Sequence, residues 1–201
     1  MIRAFPAKKM RRAIRLCGVL LVELIAPLSV SASDPQVSLV PWKVLEPGSR
    51  PLQTSFVLFW VPLSPDQMRH SELITSRRLT LYAGRCIGMQ VVRADDSTML
   101  SKLGAGESLP VAILIEGEKE IARVAADAGV LTANAVEAMV RDAVDTREAA
   151  LNSMLDQAGG KAAAGDNAAA IDLYRRVAAQ GCAYPRLAKT AQRALRRLGV
   201  K

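Results

Sequence analysis

Residues 54–61 run apolar almost without a break, with β-branched and aromatic side chains following one another. A continuous rather than alternating run predicts a strand buried on both faces of a sheet covered by helices. Ser64-Pro65-Asp66-Gln67 follows at once and has the chemistry of a helix start. Ser caps, Pro is tolerated at the first helical position, Asp suits the positive end of the helix dipole, and Gln three residues after Ser completes a capping box. That helix is expected to run on to Tyr82. IGMQVVRADD then reads as a strand ending in Asp95-Asp96, and STMLSKLG as a short helix stopped by Gly104. LPVAILI is a strand opened by Pro110, EGEKE a turn and IARVA a further strand. Asn134-x-x-Glu137 opens an amphipathic helix with Val136, Met139, Val140 and Val144 on one face. The predicted order is β-α-β-α-β-β-α. An extended lead-in over residues 34–53, carrying Pro35, Pro41, Pro47 and Pro51, precedes it.

From Ala149 the pattern changes to alanine-rich helices. GKAAAGDNAAAIDLYRRVAAQG reads as two helices meeting through small residues around a Gly-Asp turn. YPRLAKTAQRALRRLG supplies a third, apolar at Leu187, Ala191, Ala194, Leu195 and Leu198. The whole is an α/β domain over residues 33–147 with a small all-α appendage over residues 148–201.

The first 32 residues have the character of a signal peptide. Arg3, Lys8, Lys9, Arg11, Arg12 and Arg15 make a basic start, residues 16–30 are apolar, and Val30-Ser31-Ala32 offers small residues for cleavage. An apolar run of about 15 residues is short for a bilayer span. Glu23 within it weakens both readings, and an uncleaved N-terminal anchor stands as the alternative. Export implies a periplasmic or secreted protein with no transmembrane span in the mature chain. It also changes the charge argument. The full chain carries +8, but without residues 1–32 it has 21 basic residues against 18 acidic ones. The basicity therefore gives no reason to expect a nucleic-acid partner.

Two stretches carry a resemblance to known families. VLFWVPLSPDQM, VVRADDSTMLSKLG and SLPVAILIEGEKEIARV, in that order and spacing, resemble the strand and active-site turn, the second strand with its helix, and the cis-proline strand with its hairpin, of the thioredoxin superfamily. Gly165, Asp166, Ala170, Ile171 and Tyr174 stand where the tetratricopeptide family puts its turn and contact residues. The resemblance implies a thioredoxin-like fold with a tetratricopeptide-like appendage, and a groove beside Leu109 and Pro110 able to hold extended peptide. The family's two active-site cysteines correspond to Ser64 and Gln67, and its buried carboxylate corresponds to Leu58. Disulfide exchange needs an attacking thiolate and a resolving partner, and this turn supplies neither.

Other candidate chemistry is thin. Ser64 would need a base to act as a nucleophile, and the single histidine, His70, is six residues on, so capping accounts for Ser64 and an exposed helix position for His70. Asp95, Asp96, Glu116, Glu118 and Glu120 read as turn carboxylates. Gly104-x-Gly106 follows a helix instead of opening one and lacks the setting of a phosphate loop. No spacing suggests a metal site, and no cofactor is expected. Cys86 and Cys182 are either a disulfide, as two cysteines in an exported chain invite, or a buried thiol and a loop thiol. No acidic residue follows Asp172, and Arg186, Lys189, Arg193 and Arg197 fall on one face of the last helix. That face is either solvated surface or a dock for an acidic partner. The expectation is a redox-inactive protein- or peptide-binding or scaffold protein. The alternatives are a monothiol oxidoreductase or isomerase using Cys86 or Cys182, and a structural subunit of an envelope complex.

Overall fold

A computed structural model describes residues 39–106 and 108–200. The signal-peptide reading and the first part of the lead-in lie outside the described residues. Five strands form one mixed sheet: β1 (Lys43–Leu45), β2 (Phe56–Val61), β3 (Ile87–Val92), β4 (Val111–Glu116) and β5 (Lys119–Ala125). Their order is β1-β3-β2-β4-β5. β2 is central, parallel to β3 and antiparallel to β4. All six of its residues are buried, which is why its sequence does not alternate. Phe56, Leu58 and Trp60 join one apolar cluster, and Val57, Phe59 and Val61 the other.

The helices are α1 (Pro65–His70), α2 (Arg77–Ala83), α3 (Ser97–Leu103), α4 (Ala133–Ala163), α5 (Asn167–Ala178) and α6 (Pro185–Arg197). α3 covers the second cluster through Met99 and Leu103. α2, α4 and the appendage belong to the first. Asp96 caps α3, and Gly104 ends it in the left-handed conformation, φ 56°, which a side chain would disfavour. Gly165 does the same between α4 and α5, at φ 82°.

Three expectations need correction. The helix starting at Ser64 does not reach Tyr82. It stops at His70, a 3-10 turn covers Glu72–Ile74, and α2 begins at Arg77. Serine side chains explain both restarts. Ser71 Oγ accepts from Leu73 N (3.2 Å) and Ser76 Oγ from Leu79 N (3.0 Å), local bonds that compete with helix continuation. The break turns Leu73 and Leu79 fully inward, and the Leu73 carbonyl accepts from Trp42 Nε1 (2.9 Å). The lead-in also contains a strand, β1, paired in parallel with β3. Finally, Thr132 and not Asn134 caps α4, accepting from Ala135 N at 3.3 Å. Glu137 is drawn away to accept from Ser76 Oγ (2.7 Å).

α4 runs 31 residues and passes unbroken through the compositional change near residue 148. Val136, Val140 and Val144 are buried along its first half, and Leu151 and Ala158 continue the stripe under α5 and α6. Ala170, Tyr174 and Val177 are buried along α5, and Ala188, Ala191 and Leu195 along α6. No helix among the described residues is long and apolar enough to cross a membrane.

Candidate functional site

β2 ends at Val61, and the chain turns through Pro62 and Leu63 into α1. Ser64 is the N-cap, held extended at φ −151°. Its Oγ accepts from Gln67 N (3.2 Å), and Gln67 Oε1 accepts from Leu63 N (2.7 Å). Ser64 thus satisfies an orphan donor of the helix start as an N-cap does, while Gln67 reaches one residue past the N-cap N–H that a capping box would use and ties Leu63 of the preceding loop to the helix. His70 is exposed and sits near Asp66, Nε2 to Oδ1 3.8 Å.

Across the sheet, Val61 pairs with Val111. That register brings Pro110 to the same end as Pro62, so the turn and the Leu109–Pro110 segment share one end of the sheet. The Leu109–Pro110 bond is cis. Pro110 is buried, and its carbonyl accepts from Ala126 N (2.9 Å). Leu109 is half-buried against the α3-side cluster. A hollow of about 380 Å³ opens on the other flank of the turn, lined by Val44, Pro62, Ser64, Met68, Val91 and Arg93 among others. Leu109 and Pro110 are not part of its lining. Val44, Met68 and Val91 also line a second hollow of about 390 Å³ that reaches Trp42 and Trp60. These two rings lie 5.5 Å apart. Trp60 Nε1 is buried without a hydrogen-bond partner among the described residues.

The sulfur chemistry lies at the opposite end. Cys86 immediately precedes β3 and is disulfide-bonded to Cys182 in the α5–α6 connection, with the Cα atoms 5.8 Å apart. That separation is ordinary for a disulfide. The strand between the two ends of the sheet is about 20 Å long at ~3.3 Å per residue. Around the bond, Arg85 donates to the Ala183 carbonyl (3.3 Å) and sits 5.9 Å from the centre of the Tyr184 ring. Tyr184 stacks edge-on to Phe56 (6.2 Å) and donates to the Val144 carbonyl (3.2 Å). Burial pushes the Tyr184 hydroxyl up to about 12. Neither Arg85 nor Tyr184 was marked by any local sequence signal.

The carboxylates each have a structural partner where one is seen. Asp96 caps Met99 N at 3.0 Å. Arg93 chelates Asp95, and that hydrogen bonding holds the Asp95 carboxyl below its ordinary range. Arg147 pairs with Glu116 (2.6 Å) and Arg123 with Glu120 (2.7 Å). Among the described residues no three histidine, cysteine or acidic side chains gather as a metal site would require. Arg186, Lys189, Arg193 and Arg197 are all exposed along α6, and none of them forms an ion pair among the described residues. No family model and no curated protein matches this chain.

Proposed function

We propose that this chain is an exported, redox-inactive binding or scaffold protein of the bacterial cell envelope, a thioredoxin-like domain with a tetratricopeptide-like appendage that holds extended peptide without exchanging disulfides. One observation carries the reading: at the two positions that the resemblance matches to thiols, Ser64 caps α1 and the Gln67 side chain is bonded to Leu63 N. Leu58, fully buried on β2, replaces the acid that a buried thiol would need; an unneeded carboxylate there would be costly. The strand order β1-β3-β2-β4-β5 and the cis Pro110 beside the turn support the thioredoxin-like reading. With Cys86 and Cys182 bonded to each other, a monothiol mechanism has no thiolate among the described residues until that bond is reduced.

Fluorescence titration tests the binding half. Trp42 and Trp60, the protein's two tryptophans, both lie near the turn. S-carboxymethylated insulin B chain, an extended peptide without a thiol, should change their emission saturably. Leu63→Glu, at an exposed position of the turn, should weaken binding at least about tenfold, the equivalent of ~1.4 kcal/mol. Leu81→Glu, exposed on α2, should not. Equal binding by both variants would remove the turn from the site.

A further inference from the structure

α6 is two-sided. Ala188, Ala191 and Leu195 are buried along one side. At about 100° per residue, Arg186, Lys189, Arg193, Arg196 and Arg197 fall within an arc of roughly 100° on the other side, and all five are exposed. Thr190 borders this ridge, which holds no apolar, aromatic or acidic side chain. Elsewhere Arg69, Arg123, Arg147 and Arg176 each pair with a carboxylate. None of the five on α6 forms an ion pair among the described residues.

The arrangement works against the helix. Arg186 lies in the first turn, at the positive end of the dipole, where a cation is unfavourable. Arg186 and Lys189, Lys189 and Arg193, and Arg193 and Arg197 are like-charge neighbours three or four residues apart, and such pairs are destabilising. The buried side of α6 needs none of these charges, so packing does not account for them. The flank of the ridge adds a second observation. Arg175 of α5 and Arg196 of α6 line one hollow of about 640 Å³ together with Leu195 and Val200, and no acidic residue lines it. Cations beside an apolar lining match an anionic amphiphile better than a wholly polar polyanion.

We propose that α6 docks the protein on an anionic phospholipid membrane. Its five cations meet headgroup phosphates, and the hollow between Arg175 and Arg196 admits part of one lipid. Four of the five are arginines, whose planar forks bond phosphate oxygens in pairs. Clusters of four to eight basic residues on an amphipathic helix attract anionic lipid in this way. A fluid bilayer can bring its charges to a convex ridge wherever they lie. A folded acidic partner would instead need anchors seated in pockets, and the ridge offers none. The chain's own residues 1–32, with six basic residues and one acidic, do not complement it. The ridge shares no residue with the Ser64 turn and does not depend on what that turn binds.

Vesicle co-sedimentation at about 0.15 M salt tests it. Gln36–Lys201 is one compact unit with its own core, so that part is used, free of the basic residues 1–32. It should bind vesicles of phosphatidylglycerol and phosphatidylcholine in equal parts, and not vesicles of phosphatidylcholine alone. Arg193→Gln with Arg197→Gln should weaken partitioning about 25-fold, or about fivefold per charge. Lys102→Gln with Lys119→Gln removes the same net charge from exposed positions elsewhere and should change it less than about twofold. Salt at about 1 M, which shortens the screening length to ~3 Å, should abolish binding. Far-ultraviolet circular dichroism verifies that both variants are folded. Equal losses in the two variants overturn the proposal by assigning binding to net charge, and so does equal binding to neutral vesicles. No binding to the anionic vesicles overturns it outright. Tighter binding to polyglutamate or to duplex DNA at the same concentration of negative charge overturns it by assigning the ridge to an acidic protein or a nucleic acid.

Discussion

The two ends of the sheet use their residues in opposite ways. At the end where β2 enters α1, Ser64 caps the helix, Gln67 bonds back to Leu63, and Leu58 of β2 is fully buried. At the far end, two cysteines are bonded to each other and tie the α5–α6 connection to the start of β3, beside a buried tyrosine. Among the described residues, cysteine holds architecture together at one end and is absent from the other, where the resemblance would lead one to look for reactivity. Capping chemistry needs only short polar side chains at the right spacing, so local sequence suffices for it. A disulfide needs two Cα atoms within about 7 Å, and that is provided here by the return of the appendage onto the sheet.

The contrast can be sharpened by breaking each end in turn. Removing the bond should have the largest effect. The cysteines are 96 residues apart, and on the loop-entropy model a closed loop of about that length contributes up to ~4.7 kcal/mol. Cys86→Ser with Cys182→Ser should lose a large part of this in denaturant unfolding without reductant. A neutral double variant would mean that the bond does not hold the appendage. Ser64→Ala should cost less, about 0.5–2 kcal/mol for a lost N-cap, and Gln67→Ala less again. An unchanged midpoint for Ser64→Ala would show that the cap does not stabilise the start of α1.

Tyr184→Phe should be smaller still at neutral pH, on the order of 1 kcal/mol for one neutral hydrogen bond. Its pH signature is more specific. The folded protein keeps the Tyr184 proton up to about 12, whereas the unfolded chain releases it near the ordinary value of about 10. Between these values the folded state binds more protons, so stability should fall as pH rises from about 10 to about 12. Tyr184→Phe should remove that part of the slope in alkaline unfolding. The smallest effect on the fold should come from Arg193→Glu with Arg197→Glu, two exposed positions of α6, within about 0.5 kcal/mol. If the basic face docks an acidic partner, the same pair should weaken binding strongly, and raising salt should do likewise because exposed charges are screened over ~8–10 Å. Binding indifferent to both changes would leave the face as solvated helix surface.

What could be read from the sequence was local. The buried run of β2, the Ser64 cap, the Gly104 stop and the valine stripe of α4 each follow from residues a few positions apart. The features missed depend on distant partners. The break after His70 is reinforced by Trp42 bonding to the carbonyl of Leu73, 31 residues away. Glu137 left the start of α4 for Ser76, 61 residues away. β1 is too short, between prolines, to stand out from its lead-in. Within the candidate site, the Ser64 cap was legible because an N-cap is a local pattern, whereas the Gln67 side chain bonds Leu63 N, one residue before the donor that a capping box would use. The hollow lined by Val44, Met68 and Val91 was not, because it gathers three separate elements. The expectation of a groove at Leu109 and Pro110 came from resemblance, and the hollow beside the turn lies on its other flank.

The central claim is the proposed redox inactivity, with disulfide exchange carried neither by the turn between β2 and α1 nor by the Cys86–Cys182 pair, and insulin reduction by dithiothreitol tests it most directly. The protein should leave the onset of turbidity at the uncatalysed time, and Cys86→Ala and Cys182→Ala should do the same. A clear acceleration by the protein that disappears in one of these two variants would contradict the claim and identify the activity with that cysteine.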